Sequence, residues 1–191
     1  MEVLVKVIKE LNKIQMPYST KKFTEEDLNA LGEPPVGTVF LTETYGFFMN
    51  PFNPNKLKHG AIYVGGNKVI EATTHGMKVT NLQYFLLTKD EVVAVFPKFK
   101  FYPDKLEESF DLYDHAEYDW DFETDSSKMY CFELVAKMLE SCSIGYKAQT
   151  FEAYKALFNL FGKKKLVYSC ETFLTKDFQM IFINKQAKKH F

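Results

Sequence analysis

The stretch KHGAIYVGGNKVIEATTHGMKVTNLQYFL, residues 58–86, decides the fold. Two apolar segments, HGAIYVG and NKVIEAT, flank Gly65-Gly66, the pattern of a β-hairpin. A three-residue loop, Gly65-Gly66-Asn67, would place Val64 opposite Lys68 and His59 opposite Thr73. Because side chains alternate between faces, Glu71 then lies diagonal to His59 on the same face, ~7–8 Å away at the backbone. An imidazole and a long carboxylate can meet across that gap. A two-residue loop would put them on opposite faces. The alternative is a strand-edge histidine beside a solvent-facing glutamate. Gly76 turns the chain again into MKVTNL, and NLQYFLL reads as a helical turn.

Upstream, Val36–Thr44 reads as a strand that follows the break at Glu33-Pro34-Pro35. TEEDLNAL before it is a short helix, with Thr24 as N-cap and Gly32 just past its end. Leu4, Val7, Ile8, Leu11 and Ile14 form the apolar face of an N-terminal amphipathic helix. The stretch YGFFMNPFNPNKLK (45–58) is a surface loop or a flap beside a site. Downstream, EVVAVFP is a strand and Pro103 to Ala116 a helix. YDWDFETDSS is an acidic aromatic loop, and Met129–Ser141 and Gln149–Phe161 are helices. Lys163-Lys164-Lys165 reads as a solvated helix end, and LVYS and FQMIFI as closing strands. The pattern is α+β, an antiparallel sheet or small barrel packed against helices. A single domain over 1–191 is expected, with a helical extension at 1–33 and closing helices and strands at 140–191.

Composition narrows the function classes. The chain has 191 residues, 46% hydrophobic and 26% charged, so it has the means to fold. A net charge of −1 argues against a dedicated nucleic-acid binder. No apolar run approaches the ~20 residues of a membrane span, and the charged N-terminus does not read as a secretory signal. Three cysteines exclude a disulfide framework and favour a reducing, cytoplasmic setting.

Cys131 is the leading candidate nucleophile. Asp125, Ser126 and Ser127 are N-cap candidates just before the helical pattern, which puts the thiol in a first turn. Exposed N–H groups and the helix dipole favour a thiolate there, and a free thiol of pKa ~8.5 can fall to ~3.5–7.5 at a helix N-terminus beside an imidazolium. A glutamate accepting the Nδ1–H of His59 would leave Nε2 to take the thiol proton. His75 is expected in an exposed turn, His115 on the surface, and His190 outside the ordered fold. Metal binding is not expected, because no two of His59, His75, His115 and Cys131 share a helical ligand spacing and CxxC and HExxH are absent. No cofactor is expected, since the P-loop and dinucleotide fingerprints are absent. Cys142 lies ~16 Å from Cys131 along a common helix, too far for a disulfide. Cys142 and Cys170 read as structural.

The residues of 58–86, the opening strand GTVFLTET (37–44) and YDWDFETDSSKMYCFELVAKML (118–139) together resemble the circularly permuted branch of the NlpC-type papain-like superfamily, its YiiX-like and poxvirus members nearest. The resemblance spans about Pro35 to Leu139, with His before Cys as that branch requires. It implies a permuted papain-like core over 35–139. It further implies Cys131 as nucleophile, His59 as base, Glu71 as the residue orienting the imidazole, and Tyr118 as a site tyrosine that helps hold the oxyanion. Phe132 departs from the Ser that bacterial members usually carry there. Such enzymes act through a thioester on amide or acyl bonds, so the expected substrate is a peptide, an amide or a lipid-like molecule. Two alternatives stay open: a binding or scaffold protein that retains the fold without turnover, and a protein making peripheral contact with a lipid surface. The AT-rich style of residue usage suits a bacterial, phage or virion origin.

Overall fold

The computed structural model describes residues 22–43, 57–119, 127–153 and 165–191. The hairpin at its centre joins β2 (His59–Gly65) to β3 (Lys68–Thr73). Ala61 pairs with Glu71 and Tyr63 with Val69, the expected register, but the loop differs from expectation. Gly65, not Val64, faces Lys68, and the turn itself is the pair Gly66-Asn67. Both turn residues have positive φ, 57° and 59°, as a type I′ turn requires. A bulge between Tyr63 and Gly65 supplies the extra residue that keeps His59 and Glu71 on one face.

Four further strands complete the sheet: β1 (Val39–Glu43), β4 (Gly76–Asn81), β5 (Glu91–Pro97) and β10 (Phe178–Ile183). The order is β10-β5-β1-β2-β3-β4, six strands with every pairing antiparallel. This is the α+β architecture expected, in sheet form. Both faces are covered, which is why the central strands read as nearly unbroken apolar runs. One face carries Phe40, Ala61, Tyr63, Val69 and Ala94 against Phe23 and against α2 (Leu82–Leu87), which follows β4 directly. The other carries Val39, Leu41, Ile62, Ile70 and Val93 against α4 (Cys131–Ser141), whose Leu134, Val135, Met138 and Leu139 point inward. Each such buried aliphatic contributes ~1.5–3 kcal/mol.

Helix α1 (Glu25–Leu31) forms where expected. The Thr24 hydroxyl accepts from the Asp27 N–H at 3.1 Å, and the Asp27 carboxylate accepts from the Thr24 N–H at 3.0 Å. The long helix expected over 103–116 is shorter. Pro103–Lys105 is a 3₁₀ turn, α3 covers only Leu106–Phe110, and turns follow through His115. The chain leaves the helix so that β6 (Glu117–Tyr118) can pair in parallel with β7 (Lys128–Met129). The expected helix from Gln149 begins instead as β8 (Phe151–Ala153), paired with β9 (Lys165–Val167). A one-turn helix, α5 (Cys170–Phe173), precedes β10, and a 3₁₀ turn, Ala187–His190, closes the chain, so His190 lies within the ordered backbone. Asn184 ties this tail to β5: it donates to the Asp90 carbonyl at 2.9 Å and accepts from the Val92 N–H at 3.0 Å. The N-terminal amphipathic helix, the aromatic stretch Tyr45–Phe52 and most of the acidic loop lie outside the described residues.

Candidate active site

His59 is the first residue of β2, and its ring rests against Phe85 of α2, centroids 6.0 Å apart. Cys131 is the first residue of α4, on the opposite face of the sheet. The two meet at the end of the strand: Sγ lies 3.8 Å from the carbonyl oxygen of Lys58, the residue preceding His59. The helix reaches this close because Phe132 lies over Gly60, where a Cβ would fall 2.7 Å from Cδ1 of the ring.

The N-cap of the cysteine helix differs from expectation. It is Tyr130, in extended conformation and without a side-chain cap, because Lys128 and Met129 are used in the pairing with β6. The phenol oxygen of Tyr130 instead accepts from the Tyr168 N–H at 2.7 Å, fixing the start of α4 to the C-terminal segment. The Cys131 N–H, at the helix's first position, has no intrahelical partner. Tyr118 is opposite Met129 in the β6/β7 register, and Asp119 donates its N–H to the Met129 carbonyl at 3.1 Å. This pairing brings the Tyr118 phenol near enough to Cys131 for the charge of the sulfur to act on it. Burial, with the charges of Cys131 and Asp119 adding to it, pushes the phenol well above the ordinary tyrosine value. It is therefore a neutral O–H donor.

Nε2 of His59 lies 2.8 Å from Oε2 of Glu71, so the ring nitrogens are used the other way round from expectation. Nδ1 is left for the cysteine side. The other Glu71 oxygen, Oε1, accepts from the Thr80 hydroxyl at 2.7 Å and is 3.4 Å from the Lys78 ammonium. Burial alone would depress the His59 pKa. The nearby Cys131 sulfur and the bond to Glu71 outweigh it, and the imidazole sits above its ordinary value. Burial works the other way on Glu71, and is overcome by His59, Lys89 and Thr80, which hold its carboxyl far below the usual range. Both shifts favour the charged form of the group concerned.

His59, Glu71, Cys131 and Tyr118 thus converge. His75 and His115 are exposed, as expected, and line a surface cavity of about 490 Å³ with Asp114, Lys128 and Tyr118. Cys142 and Cys170 are buried and unpaired with one another or with Cys131. Burial, with Glu171 beside it, pushes the Cys170 thiol up to about 12. Among the described residues no group of three or more His, Cys, Asp or Glu side chains could hold a metal ion, and no helix is long and apolar enough to cross a membrane. Sequence reasoning missed Lys89, whose ammonium sits 4.6 Å above the Phe85 ring that supports His59. A lone lysine after a helical turn gives no signal of its own.

The fold is similar to that of the metalloprotein YiiX from Escherichia coli O157:H7. The TM-score is 0.64 at 15% identity, and the match covers 79% of this chain and 98% of that one. No curated protein matches the chain. The family described as "Permuted papain-like amidase enzyme, YaeF/YiiX, C92 family" matches residues 33–178, and the chain belongs to that family of permuted papain-like amidases.

Proposed function

We propose that the protein is a cysteine hydrolase that cleaves an amide or related acyl bond through a thioester on Cys131. The observation that carries this reading is the imidazole of His59, which bonds Glu71 at 2.8 Å and stands at the same strand end as Cys131, whose sulfur lies 3.8 Å from the carbonyl oxygen of the preceding Lys58. His59 takes the thiol proton at Nδ1 while Glu71 holds Nε2–H and stabilises the imidazolium. Sγ attacks the carbonyl carbon, and the C=O electron pair moves onto oxygen. The Cys131 N–H and the Tyr118 O–H are the donors for that oxyanion. Collapse breaks the C–N or C–O bond, and Nδ1–H gives its proton to the leaving group. Water, or another nucleophile in an acyltransferase, then attacks the thioester with His59 again as base, and the C–S bond breaks. A lipid-like acyl substrate is supported only by the aromatic composition of Tyr45–Phe52.

The test is the pH dependence of Cys131 alkylation by iodoacetamide, followed by peptide mapping. The reading expects fast alkylation well below pH 8.5, slowed strongly near neutrality by His59→Ala. A rate that tracks an ordinary thiol of pKa ~8.5 and ignores His59→Ala would overturn it.

A further inference from the structure

Lys89 follows α2 and its ammonium lies over the Phe85 ring, 4.6 Å from the centroid, while the same ring supports His59 at 6.0 Å. This contact uses one side of the cation and none of its three N–H donors. Among the described residues, no carboxylate stands within ion-pair distance of Lys89 and no acceptor takes its hydrogens. Glu71, which its charge reaches, is already engaged by His59, Thr80 and Lys78. Burial lowers the Lys89 pKa, against the pull of Glu71 and Cys131, so both lie near enough for their charges to act on it. The residue is nevertheless partly open to solvent. An ammonium drawn partly out of water, with no carboxylate in direct ion-pair contact among the described residues and its N–H donors unused, is costly to keep. That cost is returned when an anion occupies the site.

We propose that Lys89 is a specificity residue that binds a carboxylate carried by the substrate close to the carbonyl attacked by Cys131. This rests on the cysteine-hydrolase reading, and makes the preferred substrate an anionic acyl or peptide compound. The geometry agrees: Lys89 stands on the α2 side of the imidazole, sharing the Phe85 ring with His59, and makes no direct contact with Glu71.

Two alkylating probes of nearly equal size, iodoacetate and iodoacetamide, test it through their relative rates at Cys131. The His59 imidazolium also favours the anionic reagent, so the comparison is between variants. Lys89→Met and Lys89→Gln each lower the iodoacetate-to-iodoacetamide ratio by roughly three- to tenfold, the scale of one partly screened ion pair. Lys89→Arg keeps the ratio within about twofold of wild type, since it retains the charge. A ratio unchanged in both neutral variants overturns the proposal, because Lys89 then acts on the thiolate and not on the ligand. Slow alkylation of the wild-type thiol by both reagents, insensitive to His59→Ala, instead sinks the hydrolase reading and the proposal with it.

Discussion

A Cβ placed on Gly60 would lie 2.7 Å from Cδ1 and 3.0 Å from Cε1 of Phe132. Those two residues are the neighbours of His59 and Cys131, so this close approach of strand and helix lies directly beside the imidazole and the sulfur. Phe132 is 6% exposed and its ring is 6.1 Å from that of Phe173, so it has little room to retreat. Gly60→Ala should therefore destabilise the protein by about 1–3 kcal/mol and slow Cys131 alkylation, because α4 must shift away from β2. Phe132→Leu in the same chain should recover part of the stability. Chemical denaturation of the two single variants and the double variant measures the coupling, and additive losses would show that the two residues do not share this contact.

Glu71 holds His59 with one oxygen while Thr80 and Lys78 hold the other. Glu71→Gln keeps the shape and removes the charge. The His59 pKa should drop, and Cys131 alkylation near neutral pH should slow by about tenfold or more, a modest loss beside the ~10⁴ in kcat seen when a triad carboxylate becomes an amide. Thr80→Val removes a single hydrogen bond to a charged group, worth about 1.5–3 kcal/mol, and should move the His59 pKa less than Glu71→Gln does. Histidine titration by NMR checks both. An unmoved His59 in Glu71→Gln would mean that the carboxylate does not govern the ring.

The hairpin was legible because its parity is fixed by residue count, and the count survived a different loop. The expected three-residue loop and the observed bulge with a two-residue turn both insert one residue between His59 and Glu71. Which ring nitrogen meets the carboxylate was not legible, since that depends on the imidazole's rotation about its side-chain bonds and leaves no trace in spacing. The N-cap of α4 departs from local propensity: Asp125, Ser126 and Ser127 favour a cap, while the long-range β6/β7 pairing moves the helix start to Tyr130. The strand Phe151–Ala153 replaces an expected helix for a related reason: a short apolar run has no period of its own, and its partner lies at Lys165–Val167. Lys89 gained its meaning only when α2 brought it onto Phe85.

Tyr130 is buried, and its phenol oxygen takes the backbone N–H of Tyr168 at 2.7 Å, joining the residue before the nucleophile to the C-terminal segment. Tyr130→Phe leaves that N–H without its acceptor, at a cost of about 1–3 kcal/mol. Hydrogen exchange at the Tyr168 amide should accelerate, and the start of α4 should exchange faster with it. Protection equal to wild type at both places would show that the bond does not anchor the helix.

Glu43 faces Glu91 directly across β1 and β5, and its side chain is 6% exposed. Burial lifts its carboxyl to about 7, against the pull of the Lys58 ammonium 3.6 Å away, with Glu91 and Asp90 adding to the rise. A carboxyl that holds its proton to about 7 in the fold, and to 4.5 when unfolded, favours the folded state at low pH. That stability is fully present below 4.5 and declines as pH rises to about 7, by at most about 3 kcal/mol. The raised pKa of His59 gives the same sign, lost as pH climbs through its folded value, whereas the depressed Glu71 gives the opposite one, lost only in acid. Comparison with Glu43→Gln isolates the Glu43 contribution. Urea denaturation at pH 5 and pH 7.5 should show wild type losing more stability on the alkaline side than the variant. Equal losses in the two proteins would mean that Glu43 is ionised throughout and already balanced by Lys58.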